Sequence, residues 1–327
     1  MIEVTNLVRR YGPHIAVDHA SFKIEKGEIV GFLGPNGAGK STTMNILTGY
    51  LSSTEGTVRV DGQDILEHPT EIKRKIGYLP ENPPLYMDMT VREYLSFVCE
   101  IKGIPAKEKK DRMNRIMETV VIQDVSKRLI KNLSKGYKQR VGLAQAMIGD
   151  PEVLIMDEPT AGLDPKQILE IRDLITDLGK DHTIILSSHI LPEVSAVCKR
   201  VLIIDKGKIV ADDTPETLAK RILGGSHIQL RVDSTEAAVS KALARVTAIR
   251  KVEFQESQEP GAVEFVAEAG EETDIRRDLF RALAAADIPI LMMRSLDLSL
   301  EEIFLNLTTN ENRDSGKPEN RSFQEGK

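Results

Sequence analysis

A nine-residue run rich in glycine has the pattern of a phosphate-binding loop, G-x-x-x-x-G-K-[ST]. It consists of Gly34, Pro35, Asn36, Gly37, Ala38, Gly39, Lys40, Ser41 and Thr42. Because glycine accepts positive φ, we expect Gly34, Gly37 and Gly39 to turn backbone N–H groups toward a phosphate. The lysine would add a mobile cation, and the serine hydroxyl a ligand for Mg²⁺. The run predicts a nucleoside triphosphate site; a plain glycine turn is the alternative.

Two acidic residues follow an apolar run at residues 153–156, which predicts a buried strand. Since successive side chains of a strand point to opposite faces, we expect Asp157 to face Mg²⁺ beside Ser41 and Glu158 to face the terminal phosphate. A glutamate placed there can deprotonate an attacking water. The alternative is a solvated pair of acids, but the upstream phosphate loop favours the catalytic interpretation.

Two further residues leave a choice between function and structure. His189 follows the apolar run 183–186, and ligands of open α/β sheets bind at the carboxyl ends of strands, so His189 could contact the terminal phosphate. A lone histidine is equally compatible with a structural role. Tyr11, which follows Arg9 and Arg10, could stack on a base or simply pack against the protein.

A second segment suited to anions precedes a helix that we expect to begin near Lys138 or Gln139. It reads Leu-Ser-Lys-Gly-Tyr over residues 133–137. The Ser134 hydroxyl, the N–H of Gly136 and a helix N-terminus together could bind a phosphate. Ser134 is also well suited to be a simple N-cap. Because the first loop already serves one triphosphate, a second phosphate site needs its own explanation.

The elements around these residues predict an α/β fold. Continuously apolar strands alternate with helices in the middle of the chain, which indicates a parallel sheet covered on both faces. Residues 1 to about 30 alternate polar and apolar side chains, which predicts a small antiparallel sheet. A capping box at Thr90 and Glu93 opens an inserted helical subdomain at about 82–135, whose methionines we assign to core packing.

The last third of the chain differs in composition and pattern. Its order β-α-β-β-α-β predicts a small ferredoxin-like α+β domain over residues 225–308, ending in a helix from Ser299 to Leu307. No catalytic constellation is present there, so our hypothesis is a docking or regulatory domain. Residues 309–327 are polar and are predicted to be disordered.

Composition limits the remaining possibilities. The chain has 327 residues, 41% hydrophobic and 29% charged, as expected for a soluble globular protein of about two domains. A net charge of −6 gives no support to nucleic-acid binding. Cys99 and Cys198 form no metal or disulfide pattern, and we expect buried thiols in a reducing compartment. No signal segment or bilayer-length apolar run occurs, so a membrane role would need a partner.

Taken together, residues 1–222 resemble the ATP-binding subunit of an ABC transporter. The loop at 34–42 is similar to the Walker A motif, and residues 153–158 are similar to Walker B with its catalytic glutamate. His189 matches the switch histidine, and Tyr11 matches the aromatic residue that stacks on adenine. The segment 77–86, with residues 133–137, resembles the bacterial subgroup of gliding-motility and drug-export ATPases.

This resemblance implies an ATPase with a P-loop (RecA-like) core that uses ATP and Mg²⁺. It also explains the second anion segment, because two such subunits dimerise head to tail and each signature loop contacts the nucleotide of the other. Ser134 and Gly136 would make that contact, together with Asp164 of the D-loop at 161–164. The implied partners are a second ATPase subunit, in a homodimer or a mixed pair, and a separately encoded permease. The implied location is cytoplasmic, on the inner face of the cell membrane.

The sequence departs from the family pattern at three positions. Lys135 and Tyr137 replace the usual glycine and glutamine of the signature. Glu81 replaces a glutamine that contacts Mg²⁺ and the attacking water in the family. A carboxylate there can ligate Mg²⁺, or it can slow turnover by crowding negative charge. We expect Glu81 to join the catalytic group by tuning hydrolysis, with Glu158 as the base.

Two rival functions are weaker. A soluble ABC-type ATPase of translation or DNA maintenance commonly has two cassettes or a long coiled coil, whereas this chain has one cassette and no sustained heptads. A GTPase or small-molecule kinase would not need the signature segment, and no Asn-Lys-x-Asp guanine motif occurs. The cargo is chosen by the permease and is not encoded here; the subgroup favours export.

Overall fold

The computed structural model describes residues 1–295 except 216, 219–226, 256, 258, 260, 271 and 272. The chain divides into two compact units, Met1–Thr214 and Pro215–Lys327. The predicted domain limits at 222 and 225 lie outside the described residues. The predicted final helix from Ser299 to Leu307 and the predicted disordered tail at 309–327 lie outside them as well.

The first unit contains two sheets and a set of helices. Its strands are β1 (Ile2–Tyr11), β2 (His14–Ile24), β3 (Ile29–Leu33), β4 (Glu55–Val60), β5 (Gln63–Asp64), β6 (Ile76–Leu79), β7 (Val153–Asp157), β8 (Thr183–Ser188), β9 (Arg200–Asp205) and β10 (Lys208–Asp213). Its helices are α1 (Lys40–Leu47), α2 (Pro69–Lys75), α3 (Val91–Ile101), α4 (Ala106–Thr119), α5 (Lys135–Met147), α6 (Pro165–Leu178) and α7 (Leu191–Ser195).

The larger sheet has the order β10-β9-β3-β8-β7-β6, and all of its strands are parallel except the edge strand β10. This confirms the predicted parallel sheet. The smaller sheet, β2-β1-β4-β5, is antiparallel. The two sheets share one apolar core, in which the rings of Phe22 and Phe32 lie 5.7 Å apart. That shared core fixes the ends of β1 and β3 relative to each other.

The helical region between β6 and β7 forms as the sequence predicts. Thr90 and Glu93 make the capping box at the start of α3, with the Thr90 N–H donating to Glu93 Oε2 over 2.8 Å. Met113 and Met117 of α4 are buried, which confirms their packing role. Within α5, the Arg140 guanidinium donates to Val120 O (3.0 Å) and to Glu170 Oε2 (2.7 Å), and so ties this region to α6.

The second unit has the predicted ferredoxin-like order. It contains β11 (His227–Asp233), α8 (Glu236–Leu243), β12 (Ile249–Gln255), β13 (Ala262–Ala269), α9 (Arg276–Ala285) and β14 (Ile290–Ser295). The antiparallel sheet order is β12-β13-β11-β14. Leu230 and Phe265 on one face of the sheet are fully buried with Leu279 of α9.

Both cysteines are buried free thiols, as predicted, and burial raises the pKa of Cys198. Among the helices of the described residues, none combines the length and apolarity that a membrane crossing requires.

Candidate functional site

A cleft of about 400 Å³ opens where β3, β7 and β8 end. It brings together most of the predicted site residues: Tyr11, Asn36, Gly37, Gly39, Lys40, Ser41, Thr42, Glu81, Glu158 and His189. Three lining residues were not predicted, namely His14, Ala16 and Ala161. Residues from five separate segments therefore meet in one cavity, as expected for ligands that bind at the carboxyl ends of parallel strands.

The glycines of the loop between β3 and α1 serve two different purposes. Gly37 and Gly39 take positive φ, 82° and 109°, as predicted. The same prediction is wrong for Gly34, whose φ is not positive. A side chain is excluded at Gly34 for steric reasons, because an added Cβ would lie 2.5 Å from the carbonyl oxygen of Ile204.

The loop is anchored from below by the turn between β9 and β10. The N–H of Gly207 in this turn donates to Ala38 O over 2.9 Å. The carbonyl of Gly207 accepts from the N–H of Asp18 in β2, also over 2.9 Å. One residue thus links the phosphate-type loop to the antiparallel sheet that carries Tyr11.

Lys40 is the first residue of α1 and lies deep in the cleft. Its ammonium donates to Gly34 O (2.8 Å) and Pro35 O (3.3 Å), and it lies 3.5 Å from Glu158 Oε1. Only 6% of its side chain is exposed. The positive end of the α1 dipole adds to this charge, so the loop concentrates positive potential.

Glu158 is held in a strained backbone conformation with φ of 48°. The left-handed region costs an ordinary residue roughly 1–2 kcal/mol. Ser187 at the end of β8 secures it, because the Glu158 N–H donates to Ser187 Oγ over 3.0 Å. The Ser187 hydroxyl in turn donates to Asp157 Oδ1. Sequence reasoning gave Ser187 no role, although polar residues at the end of an otherwise apolar strand were a signal.

His189 meets Glu158 directly, with Nδ1 2.9 Å from Glu158 Oε2. An ionised carboxylate only accepts hydrogen bonds, so Nδ1 carries the proton in this contact. The histidine side chain is 44% exposed, and that of Glu158 is 10% exposed. The ends of two neighbouring strands therefore place an acid and an imidazole side by side, facing the cleft.

Tyr11 stands at another side of the cleft and is 43% exposed. Its ring packs on the guanidinium of Arg9, with Arg9 Cζ 4.7 Å from the ring centroid. Arg9 is held by a 2.9 Å hydrogen bond to Ser52 O. One face of the ring is thus supported by a cation, an arrangement that favours a stacking platform over core packing. The exposed Glu81 follows β6 and also lines the cleft.

The residues predicted to serve a partner subunit lie away from this cleft. Ser134 caps α5, accepting from the N–H of Tyr137 over 3.4 Å, so the helix begins at Lys135, three or four residues earlier than expected. Asp164 caps α6, accepting from the N–H of Gln167 over 3.0 Å. Gly136 is buried, whereas Ser134 and Asp164 are exposed.

The oxygen donors fit a magnesium ion held partly by substrate. Ser41 lines the cleft, and Asp157 is a buried carboxylate at the end of β7 that does not line the cavity. The pKa of the nearby Tyr78 is raised, mainly because its own hydroxyl is buried and to a smaller extent because of the negative charge of Asp157. The described residues hold no cluster of three or more metal-binding side chains. Such a donor set suits Mg²⁺, which takes one or two carboxylates and completes its shell with phosphates and water.

Comparisons with known proteins agree with this geometry. The family model described as ABC transporter matches residues 17–161. The chain is 33% identical over 315 residues to the linearmycin resistance ATP-binding protein LnrL of Bacillus subtilis (strain 168), covering 96% of this chain and all of that protein. It is 41% identical over 223 residues to the bacitracin transport ATP-binding protein BcrA of Bacillus licheniformis, covering 68% and 72%. A solved structure described as the dimeric MJ0796, a bacterial ABC transporter cassette, matches with TM-score 0.61 and 25% identity over 65% of this chain and 98% of that one.

Proposed function

The chain belongs to the family of ABC transporter ATP-binding proteins, and from this premise we propose that two subunits enclose and hydrolyse MgATP to drive a separate membrane permease. The observation that carries the proposal is the single cleft shared by Tyr11, Lys40, Glu158 and His189. Its residues are suited to bind a nucleobase, a chain of phosphates and an attacking water.

Nucleotide binding uses the two ends of the cleft. The exposed face of the Tyr11 ring stacks on the base, while Arg9 supports the other face. The N–H groups of the loop and the N-terminus of α1 receive the phosphates. Lys40 turns its ammonium from the carbonyls of Gly34 and Pro35 to the terminal phosphates.

Hydrolysis rests on Glu158 as the general base. Its carboxylate removes a proton from the water that attacks the terminal phosphate. The contact from His189 Nδ1 orients that carboxylate, and Ser187 fixes the strained backbone beneath it. A second ring nitrogen on His189 remains available for the phosphate. Glu81 adds a third carboxylate to the surroundings and tunes the rate.

Ser41 and Asp157 would hold Mg²⁺, which when bound neutralises charge on the phosphate oxygens. The Ser187 hydroxyl keeps the Asp157 carboxylate in place. The same serine therefore positions both the proposed metal ligand and the proposed base.

A second ATPase subunit is required by the residues that lie outside the cleft. Ser134, Gly136 and Asp164 would complete the nucleotide site of the partner, as the signature and D-loop do in the family. Support comes from the exposed helix caps at Ser134 and Asp164 and from the dimeric cassette that this chain resembles.

Coupling to transport follows from the relatives. One is named for bacitracin transport and the other for linearmycin resistance, which favours export of a compound by a permease at the cell membrane. In this arrangement residues 1–222 are the ATPase domain, and the chain sits at the inner face of the membrane through the permease. Residues 225–308 form a docking or regulatory domain. The match to LnrL covers 96% of the chain, so it includes most of both compact units.

The test is the substitution Glu158→Gln, which removes the base and keeps its size. We expect ATP to bind and to drive a stable dimer, and turnover to fall by about 10²–10⁴-fold. Phosphate release and sedimentation with ATP measure the two effects.

Glu152→Gln is the matched control, because Glu152 is an exposed acid that pairs with Lys26. It should leave both measurements unchanged. The proposal is wrong if Glu158→Gln protein keeps normal turnover, or stays monomeric with ATP while the unaltered protein dimerises.

A further inference from the structure

The N-terminus of α5 interlocks with the turn that follows β7. The side chain of Lys135 lies across Gly162, whose φ is 67°. A methyl group added to Gly162 would collide with Lys135 Nζ, and Lys135 Cε and Cδ lie 3.4 and 3.7 Å from the same point. The lysine side chain therefore lies directly against the backbone of Gly162.

A reciprocal contact runs in the opposite direction. The side chain of Gln167 lies against Gly136, where an added Cβ would come within 2.5 Å of Gln167 Oε1 and 2.7 Å of its Cδ. Further along the same two helices, Arg140 and Glu170 form an ion pair of 2.7 Å. Lys135 at the start of α5 thus contacts Gly162, and Gln167 near the start of α6 contacts Gly136. The Arg140–Glu170 ion pair extends this interface along the two helices.

The turn beneath Lys135 belongs to the wall of the nucleotide cleft. Ala161 lines the cleft, and its N–H donates to Glu158 O over 3.1 Å. The N–H of Leu163 donates to Thr160 O over 3.2 Å. These two hydrogen bonds make a short, closed turn between the proposed base and Gly162. Because this turn has few freely rotating backbone bonds, a displacement of Glu158 is expected to displace Gly162 as well.

Packing carries this contact, since the Lys135 ammonium makes no hydrogen bond or ion pair with any described residue. Lys135 and Gly162 are 27 positions apart in sequence, so the contact joins two separate motifs. Where the family has glycine in place of Lys135, no side chain is available to make it.

We propose that Lys135 is a positioning residue that couples the signature segment to the D-loop of its own subunit, so that both move together when the cleft binds ATP. The inference rests on the proposed function, because it assigns a task to a loop that completes the partner's site. Lys135 then matters for ATP-driven dimer formation and not for nucleotide binding by one subunit.

Dimer formation is measured in Glu158→Gln protein with and without Lys135→Ala. We expect the ATP concentration needed for half dimerisation to rise roughly three- to thirtyfold, the range for residues that couple two sites. ADP affinity by calorimetry should stay unchanged. Lys127→Ala is the matched control, because Lys127 is exposed and makes no hydrogen bond or ion pair with the described residues. It should leave both quantities as they were.

The proposed function and the role of Lys135 are overturned by different results. If Glu158→Gln protein does not dimerise with ATP, the proposed function is wrong and the inference falls with it. If it dimerises equally well with and without Lys135→Ala, the inference alone is wrong.

A double-mutant cycle tests the contact itself. Gly162→Ala carries the same backbone strain in any background, but it collides with the lysine only where Lys135 is present. We therefore expect Gly162→Ala to lower the melting temperature less in Lys135→Ala protein than in the unaltered chain. Lys135→Met, which keeps most of the stem, should dimerise better than Lys135→Ala. Additive melting shifts, or a Lys135→Met protein as impaired as Lys135→Ala, would overturn the inference.

Discussion

Both compact units bury polar and charged side chains, but in different surroundings. In the first unit, Lys40 and Glu158 face each other across 3.5 Å at the wall of a cleft. In the second, Gln229 and Glu264 are buried on the sheet face that points away from α8 and α9. The first pair lines a cavity, whereas the second is hydrogen-bonded to neighbouring side chains of its sheet.

The network of the second unit is closed. Glu264 accepts from Gln229 and from Arg231, whose Nη2 lies 3.0 Å from Glu264 Oε2. The Gln229 amide oxygen accepts from Arg294 over 2.7 Å. The Gln229 amide nitrogen also donates to Gln255 Oε1 over 3.3 Å, so the buried Gln229 and Glu264 side chains are hydrogen-bonded to neighbours on four strands of their own sheet.

The cleft of the first unit is arranged differently. Its cation rests on backbone carbonyls and a longer ion pair, and its acid sits on a strained residue. These contacts can be exchanged for contacts with phosphate and water. Buried charge therefore indicates a functional site only when it lines a cavity and its present partners are replaceable.

Lys40→Ala should cause the greatest loss of activity among the substitutions that test this contrast between the two units. Loss of the cation removes stabilisation of phosphate charge, so we expect turnover to fall by about 10²–10³-fold. Phosphate release at saturating ATP measures it. Lys26→Ala removes a lysine from an exposed ion pair with Glu152 and should leave turnover unchanged. If both substitutions lowered turnover equally, Lys40 would have no specific role in hydrolysis.

An intermediate effect is expected from Glu264→Ala in the closed network. It removes the buried acceptor that Gln229 and Arg231 share and leaves them only their longer contacts to Gln255 and Glu259, which costs about 1–3 kcal/mol of local stability. Hydrogen exchange at the amides of β11 and β13 measures this cost. Turnover should stay unchanged, and so should exchange after Glu253→Ala, which removes an exposed acid on the same sheet. A fall in turnover like that of Lys40→Ala would contradict a purely structural role.

A weaker effect, on stability alone, is expected at the exposed ion network around Asp61. Hydrogen bonds from Lys75 (2.6 Å) and from the terminal ammonium of Met1 (2.9 Å) lower the pKa of Asp61 to about 2. Because a lowered carboxyl pKa stabilises the fold above its unfolded value, the benefit is complete above about pH 4 and is lost as pH falls through about 2.

The Asp61 side chain is 36% exposed, so solvent screening limits the benefit to about 0.5–1 kcal/mol. We expect Asp61→Asn to lower the melting temperature at pH 7 and to approach the unaltered chain only as pH falls below about 2. A difference that persisted at the lowest pH would show that the network acts through packing and not charge.

Local patterns predicted much of the fold. The phosphate-type loop, the capping box at Thr90 and the ferredoxin-like order of the second unit each depend on neighbours in sequence, and each forms as expected. The short elements α2 and β5 were not predicted, because a few residues give no readable periodicity.

Contacts between distant segments could not be predicted in the same way. Gly34 was assigned a positive φ because its motif is local, whereas its real constraint is the carbonyl of Ile204 on another strand. The support that Ser187 gives to Asp157 and Glu158 depends on the pairing of β7 with β8. The sequence showed Lys135 only as a departure from the family pattern, since only the folded chain places its side chain over Gly162.

The turn at Gly207 fixes the distance between the aromatic and the cationic end of the cleft. Tyr11 ends β1, which is paired through His14 to β2, and Gly207 bonds both to β2 at Asp18 and to the loop at Ala38. The aromatic end and the cationic end of the cleft cannot separate without breaking one of two 2.9 Å backbone hydrogen bonds. A ligand whose ring and anionic group are separated by a different distance therefore cannot contact both ends of the cleft at once. Because main-chain hydrogen bonds set this distance, substituting side chains along the cleft would change its affinity for a ligand but not the distance between its two ends.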